Sequence, residues 1–246
     1  MAFTQRAVRA LRAGKHLSRQ RLERARYALL GTGNRTALAS FPRSGNTWVR
    51  SLIEALTGES TGSVYGAGDR VMRRDREGVV IKTHERDAFR YARAIHLVRN
   101  PFDAVESLYH YHRDVEGRAV DWAHYVTYWG LKWGLNTRYW ILTELPTIRV
   151  RYEDLNASPA AELRRIADWL GLGCTDEEIQ AAVEACSMEK LRRKNATHAK
   201  TFFRRGEVGA SYQAYSETQK EYLLAANRDM ILALGYKESV AKLTAI

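Results

Sequence analysis

The chain alternates between short apolar segments and longer amphipathic ones, which is the pattern of strands followed by helices. The short segments are apolar or rich in β-branched residues, and each predicts a strand. They are residues 36–41 (TALASF), 79–84 (VVIKTH), 94–99 (AIHLVR) and 147–152 (TIRVRY). Because strands that alternate with helices usually pair in parallel, the pattern predicts an α/β fold with a central parallel sheet and helices on both faces.

The longer segments repeat apolar residues at helical spacing and carry recognisable end signals. We predict helices at 45–58, 101–113, 121–140, 158–172 and 175–186, and a last helix that begins near Ser216. Gly58 closes the first helix, Pro101 opens the second, and Ser158 and Thr175 stand at N-cap positions. Residues 192–213 are basic and lack periodicity, and a loop of this length inside a domain is often a functional lid.

Residues 1–30 differ from the remainder in charge. They hold eight basic residues and one acid, Glu23, and a narrow apolar stripe at helical spacing. We predict a basic helical extension over 1–30, followed by a single domain over 31–246. The helix could lie on acidic lipid or on a partner, but the narrow stripe without Trp or Phe favours packing on the domain.

The composition is that of an ordinary globular protein, with 45% hydrophobic and 27% charged residues among 246. There is no apolar run of eighteen residues and no apolar segment of a secretory signal near residue 1. Two cysteines, Cys174 and Cys186, are too few for a disulfide framework and fit a reducing compartment. We therefore expect a cytoplasmic protein, with peripheral membrane contact through residues 1–30 as the alternative.

The formal net charge of +11 favours an anionic partner: nucleic acid, an acidic membrane surface or a small polyanion. No zinc-finger or RNA-recognition signature is present, so no nucleic-acid partner is expected. A non-enzymatic membrane- or nucleic-acid-binding protein remains an alternative that only the charge of residues 1–30 favours.

Polar and basic residues follow several of the predicted strands, at the edge where parallel sheets bind ligands. In PRSGNTW, Gly45 allows a close turn, Arg43 adds a cation, Ser44 and Thr47 add hydroxyls, and Trp48 offers a flat ring. Backbone N–H groups at the start of the following helix favour an anion. The alternative is an ordinary strand–turn–helix junction. The nucleotide-triphosphate signature G-x-x-x-x-G-K-[ST] is absent, so ATP or GTP hydrolysis is poorly supported.

Two further segments are weaker anion-binding candidates when each is taken alone. Arg99 ends a strand in RNPFDAVES, two helical turns before Ser107, and arginine suits bidentate phosphate contacts. FFRRGE places two arginines beside a glycine in a loop.

These motifs together resemble those of sulfotransferases that use 3′-phosphoadenosine-5′-phosphosulfate (PAPS). FPRSGNTW resembles the 5′-phosphosulfate loop, RNPFDAVES the 3′-phosphate motif, and RYEDL and FFRRGEVG two further motifs, in the family's order over residues 36–220. A weaker likeness is to the WSC-domain-containing, carbohydrate-directed branch. The resemblance implies a three-layer, P-loop-like fold, PAPS as donor, adenosine 3′,5′-bisphosphate as product, and no metal.

The resemblance also implies roles for individual residues. It implies that the 5′-phosphate is bound by Ser44, Gly45, Asn46, Thr47 and Trp48, with Trp48 near the adenine. It also implies that the 3′-phosphate is bound by Arg99, Ser107, Arg204, Arg205 and Gly206, and that Tyr152 contacts the adenine. Arg43 stands where most cytosolic members carry a lysine that contacts the bridging oxygen and the leaving phosphate.

His84 ends a strand in KTH, as the family's general base does. An imidazole titrates near neutral pH and can accept the proton of an attacking hydroxyl. Lys82 lies two residues earlier, on the same side of an extended chain, where it can stabilise charge on the transferring group. The alternative for His84 is a strand-end histidine bonded to a backbone carbonyl.

We therefore predict sulfuryl transfer to a hydroxyl acceptor, with His84 as base and Lys82 and Arg43 as catalytic cations. The acceptor is a carbohydrate, a lipid or a small alcohol or phenol, and its pocket is expected from loops 59–77, 109–125 and 195–212. The enzymatic alternative is a P-loop-type nucleotide or small-molecule kinase. The dimer motif of the cytosolic branch is not matched, so the oligomeric state is open.

Overall fold

The structure, a computed structural model, describes residues 35–65, 78–187, 189–191 and 208–236. The predicted helix over 1–30 and most of the predicted lid, including Arg204, Arg205 and Gly206, lie outside these ranges. Five strands are present: β1 Thr36–Ser40, β2 Gly62–Ser63, β3 Ile81–Thr83, β4 Arg93–Val98 and β5 Thr147–Arg151. The four predicted strands are confirmed, while the two-residue β2 is too short to leave a sequence pattern.

All six predicted helices are confirmed, with ends that differ by at most two residues where the prediction gave them. They are α1 Asn46–Thr57, α2 Pro101–Asp114, α3 Trp122–Ile141, α5 Pro159–Leu170, α6 Asp176–Ala185 and α7 Glu217–Ala233. The sequence did not predict the short helix α4 Tyr152–Ala157, nor the 3₁₀ turns Ala88–Arg90 and Ala210–Ala214. Among the helices of the described ranges, none is both long and apolar enough to cross a membrane.

The five strands form one parallel sheet in the order β2-β3-β1-β4-β5. Strand β1 is central: Ala37 pairs with Ile81 on one side and with Ala94 on the other. Because every strand runs the same way, all five carboxyl ends meet at one edge, where β1, β3, β4 and β5 deliver the predicted site residues.

The two faces of the sheet carry side chains of different size. On one face the aliphatic side chains Leu38, Ile95 and Leu97 are fully buried in a cluster with residues of α1, α5 and α6. On the other face Ala37 and Ala94 leave room for the indole of Trp140 on α3. Side chains alternate between faces along a strand, so this pattern produces the predicted three-layer arrangement.

The predicted helix ends are largely confirmed. Gly58 adopts φ 70° and closes α1 with a bond from its N–H to the Glu54 carbonyl. Thr175 and Glu178 form a reciprocal capping box at the start of α6. Ser158 occupies the N-cap position of α5, but its side chain makes no capping hydrogen bond.

Helices α3 and α7 approach each other closely at a glycine. A Cβ placed on Gly134 would overlap the Oδ1 atom of Asn227, which is 1% exposed and donates from Nδ2 to the Leu223 carbonyl. Gly130 lies one turn earlier on the same helix, and a Cβ there would meet Leu223 at 3.6 Å, an ordinary contact. The contact between α3 and α7 therefore requires glycine at position 134 but not at position 130.

We expect Gly134→Ala to destabilise the fold by roughly 1–3 kcal/mol, because the new methyl group must displace the buried Asn227 side chain. The matched change Gly130→Ala should be neutral or stabilising by up to about 1 kcal/mol, because alanine is the better helix former. Urea unfolding followed by circular dichroism measures both. Equal stability of the two variants would contradict the proposed close approach.

Candidate active site

The turn between β1 and α1 reverses the chain with two residues in the left-handed region, Arg43 at φ 67° and Gly45 at φ 96°. For arginine this conformation costs on the order of 1 kcal/mol. A Cβ on Gly45 would lie 2.6 Å from Cδ2 of Tyr152, which is too close. The turn thus needs glycine at this position, and it brings Tyr152 from the end of β5 against the start of α1.

Arg43 is brought together with two other predicted anion-binding residues. Its Nε donates to Ser107 Oγ at 3.2 Å, and its backbone carbonyl accepts from Arg99 Nη1 at 3.2 Å. The Arg43 guanidinium lies 5.2 Å from the Tyr111 ring centroid, and that of Arg99 lies 4.3 Å from the Tyr152 ring centroid. The segments after β1 and β4 supply one cation each, α2 supplies the Ser107 hydroxyl and the Tyr111 ring, and the residue after β5 supplies the Tyr152 ring. All of these groups meet at one place.

Ser44 Oγ and Arg99 Nε, two possible donors in this place, are buried without a hydrogen-bond partner among the described residues, and Asn46 Oδ1, an acceptor, is a third such atom. An unpaired buried polar group costs about 1–3 kcal/mol, so such atoms mark places where a ligand can restore the missing bond. Ser44 precedes α1, and Arg99 donates to the Arg43 carbonyl of the same turn. The Trp48 N–H of the first helical turn donates to the Gly45 carbonyl at 3.0 Å, while the first N–H groups of a helix generally lack an acceptor within it. This donor set fits a bound phosphate-like anion.

The side chains of Trp48 and Asn46 belong to the interior rather than to the surface of the turn. Trp48 is 6% exposed, donates from Nε1 to the Cys186 carbonyl at 3.1 Å and meets the Tyr152 ring edge-on at 6.1 Å. Asn46 is 4% exposed and donates from Nδ2 to Leu38 O and Ser40 Oγ, each at 3.2 Å. If Asn46 contacts an anion, its backbone N–H is the group that can do so, because the side chain points into the interior. The half-buried Thr47 lies between the two.

His84 follows β3 and bonds across to the end of β1. Its Nδ1 lies 2.8 Å from the Ser40 carbonyl oxygen and 3.2 Å from Ser40 Oγ. A carbonyl only accepts, so Nδ1 carries the proton and Nε2 carries the lone pair. The alternative from the sequence, a histidine bonded to a backbone carbonyl, is thus what the structure contains. It is compatible with a general base because the bond fixes the tautomer.

Neighbouring side chains hold the backbone and ring of His84. The His84 N–H donates to Tyr65 Oη at 2.8 Å, and Asn136 Nδ2 donates to the His84 carbonyl at 2.9 Å. The Tyr65 ring stacks on the imidazole with centroids 5.5 Å apart. The Lys82 ammonium lies 5.6 Å from the same tyrosine ring centroid, so Tyr65 contacts both predicted catalytic residues of β3.

Sequence reasoning missed Ser40, Tyr65 and Asn136 as parts of this site. Asn136 carried a signal, since it is an amide within a helix otherwise rich in aromatic and aliphatic residues, and it is 6% exposed. Tyr65 lies in loop 59–77, from which part of the acceptor pocket was expected, but nothing in the sequence indicated its contact with His84.

Asp87 is a buried carboxylate three residues after His84. It accepts from Thr83 Oγ1 at 3.0 Å and from Tyr91 Oη at 3.4 Å, and its carboxyl lies 3.8 Å from Arg90 Nε. These contacts tie the end of β3 to the following 3₁₀ turn. Burial raises the pKa of Asp87 from 3.8 to about 6, despite the hydrogen bonds and Arg90, which lower it.

A pair of buried acids lies on α2, the helix that carries Ser107. Asp103 accepts from the N–H groups of Gly209 at 2.8 Å and Ser211 at 3.2 Å, and Glu106 accepts from Ser211 Oγ at 2.6 Å. These acids hold the 3₁₀ turn Ala210–Ala214 against the helix.

Comparison with known proteins identifies the family. The family model described as "Sulfotransferase domain" matches residues 80–231. A WSCD family member of Drosophila pseudoobscura pseudoobscura is 30% identical over 229 residues, covering 82% of this chain and 67% of that protein. Cytosolic sulfotransferase 13 of Arabidopsis thaliana is 26% identical over 223 residues, covering 70% and 69%.

Solved structures share the fold. Mouse sulfotransferase SULT7A1 complexed with PAP superposes with a TM-score of 0.64 at 19% identity, covering 84% of this chain and 89% of that one. Retinol dehydratase in complex with androsterone and inactive cofactor PAP gives 0.61 at 16% identity, covering 80% of each chain.

We expect Asp87 to make the free energy of unfolding pH-dependent. Its pKa is higher in the folded than in the unfolded chain, so its stabilising contribution is full below pH 3.8 and is lost as the pH rises through about 6. In Asp87→Asn, the fall in unfolding free energy between pH 4 and 7 should be smaller than in the parent by up to about 3 kcal/mol. Urea unfolding across this range measures it.

The matched control for this prediction is Asp168→Asn, because Asp168 is exposed on α5. That variant should follow the parent curve. If the Asp87→Asn curve also ran parallel to the parent, the buried carboxylate would not be the source of the pH dependence.

Proposed function

The chain belongs to the sulfotransferase family, and from that premise we propose that it transfers a sulfuryl group from PAPS to a hydroxyl acceptor with His84 as general base. One observation supports this role above the others: the Ser40 carbonyl holds His84 in the tautomer whose Nε2 can accept a proton. The same strand end leads within three residues to Arg43. The base, which follows β3, and the anion-binding turn, which follows β1, are thus joined at the end of β1.

The residues of the turn fit the nucleotide. When bound, PAPS supplies an activated sulfuryl group with adenosine 3′,5′-bisphosphate as a stable leaving group. Arg43, the Ser44 hydroxyl and the first-turn N–H groups of α1 would hold its 5′-phosphate. Arg99 and Ser107 would hold the 3′-phosphate, with Arg204, Arg205 and Gly206 as further predicted ligands.

The chain's own residues then share the work of transfer. His84 Nε2 accepts the proton of the acceptor hydroxyl as its oxygen bonds to sulfur, while the bond from sulfur to the bridging oxygen breaks. Arg43 and Lys82 stabilise the negative charge that develops on the leaving and transferring groups. The reaction depends on positioning and charge neutralisation, as phosphoryl transfer does.

For the acceptor we propose only a chemical class, which is a carbohydrate, a lipid or a small alcohol or phenol. Aromatic rings from the predicted acceptor segment 109–125 lie close together, including Tyr109 and Trp122 with centroids 4.7 Å apart. A screen with radiolabelled PAPS, beginning with carbohydrates and glycolipids, identifies the acceptor. A cytoplasmic location and membrane contact through residues 1–30 stay predictions.

The kinase alternative now has little support. It requires the lysine–serine/threonine ending of a nucleotide-triphosphate loop, which FPRSGNTW lacks. Calorimetry separates the two functions, because preferential binding of Mg²⁺–ATP over adenosine 3′,5′-bisphosphate would contradict sulfuryl transfer.

We expect His84→Ala to lower kcat by about 10²- to 10⁴-fold, because the acceptor proton loses its base. Calorimetric affinity for adenosine 3′,5′-bisphosphate should stay within about threefold of the parent value, since no phosphate depends on the imidazole. The matched control is His124→Ala, a change at a histidine whose side chain is 94% exposed. Full activity in His84→Ala would rule out this base.

We expect Arg43→Lys to keep activity within about tenfold of the parent, because the charge survives and only the planar fork is lost. Arg43→Met should lower kcat by about 10²- to 10³-fold, because no cation remains for the developing charge. Steady-state kinetics at saturating PAPS measures both. Equal losses in the two variants would mean that guanidinium geometry, rather than charge, is what matters.

A further inference from the structure

Resting on the proposed base, we propose that Ser40 is a positioning residue that couples the nucleotide-binding turn to His84 through Asn46. The three side chains form one hydrogen-bonded path from Asn46 Nδ2 to Ser40 Oγ and on to His84 Nδ1. Each step measures 3.2 Å. Ser40 is the last residue of β1, and Asn46 is the first residue of α1, so the path spans the anion-binding turn.

Burial makes this path more than a surface contact. Ser40 is fully buried and Asn46 is 4% exposed, so water cannot readily substitute for either partner. A hydrogen bond inside the protein is electrostatically stronger than one in water, and a broken one leaves an unsatisfied group. The orientation of each side chain is therefore tied to that of the next.

The donor and acceptor roles along the path are determined by its fixed groups. The Asn46 amide nitrogen can only donate, so Ser40 Oγ accepts from it. The Ser40 carbonyl at 2.8 Å can only accept, so His84 Nδ1 is the donor there. The opposite tautomer would turn a nitrogen lone pair toward that carbonyl, and the repulsion disfavours it. A hydroxyl has two acceptor lone pairs, so Ser40 Oγ can accept from both neighbours at once.

This arrangement links two functions that the sequence suggested separately. Asn46 anchors the start of α1 to Leu38 and Ser40 of β1, and Ser40 anchors the ring of His84. A displacement of the turn that holds the anion would move the Asn46 amide and, through Ser40, change the hydrogen bonding of the base. Asn46 thus acts through its side chain on the proton-accepting residue rather than on the nucleotide.

The first test is the tautomer of His84 in the full chain, measured by ¹⁵N-correlated NMR of the imidazole at a pH where the ring is neutral. His84→Ala identifies the signal. The parent should show the Nδ1–H form. Ser40→Ala should keep this tautomer, because the backbone carbonyl that selects it remains, but the chemical shift of the His84 Nδ1–H should change as the contact with the hydroxyl is lost. An Nε2–H ring in the parent overturns the proposal, and this measurement requires no variant of Ser40 to fold.

The second test is kinetic. Ser40→Ala and Asn46→Ala should each lower kcat by about tenfold, while KM for PAPS and calorimetric affinity for adenosine 3′,5′-bisphosphate stay within about threefold. Because the two side chains act along one path, the double variant should lose no more than the worse single variant. Multiplying losses would show independent action and would overturn the coupling.

The matched control is Thr36→Val, which removes another buried hydroxyl from the far end of β1, where it accepts from Arg93 Nε. It should keep kcat and the chemical shift of the His84 Nδ1–H. Normal kcat in Ser40→Ala overturns the positioning role while leaving the base intact. Normal kcat in His84→Ala instead overturns the proposed function, so the two failures are distinguishable. A loss of nucleotide affinity in Asn46→Ala, with kcat unchanged, would make Asn46 a nucleotide ligand only.

Discussion

The site depends on a single geometric constraint, the reversal of the chain between β1 and α1. Arg43 and Gly45 adopt left-handed backbone conformations there, and Tyr152 closes over the glycine. The reversal directs the start of a helix toward the edge where the other strands end. It also leaves the Ser40 carbonyl in reach of His84 Nδ1, at 2.8 Å. Anion binding and base orientation thus follow from the same turn.

The strand ends around this turn are held by polar side chains that are buried or half-buried. Glu153 accepts from the backbone N–H of Asn100 at 2.8 Å and from Tyr236 Oη at 2.9 Å, which ties the ends of β4 and β5 to the end of α7. Burial raises the pKa of Glu153 above its usual range. Asp87 has the same role after β3. A carboxylate of this kind would cost free energy if it lost its hydrogen bonds. Each therefore fixes one local geometry and makes the edge of the sheet rigid.

Much of the fold was predictable because it depends on local patterns. The alternation of TALASF, VVIKTH and AIHLVR with amphipathic segments predicted parallel strands and flanking helices, and Gly58 predicted a helix end. The orientation of Trp48 and Asn46 was not predictable, since both lie in a polar turn by sequence yet point their side chains into the interior. Which side of a turn a residue faces depends on contacts with distant segments, here Cys186 and Leu38.

The sequence by itself determined the class of fold, the strand ends that carry chemistry, and the residues Arg43, His84, Arg99 and Ser107 as candidates. Those conclusions rest on residue type, on spacing along the chain and, for His84, on the resemblance of the motifs to those of sulfotransferases. Only the tertiary structure decided that the Ser40 carbonyl selects the tautomer of His84, that Arg43 bonds to Ser107, and that Tyr65 covers His84. These contacts join residues between 19 and 64 positions apart. Parallel pairing creates them, because it is the sheet that brings the ends of separate strands together.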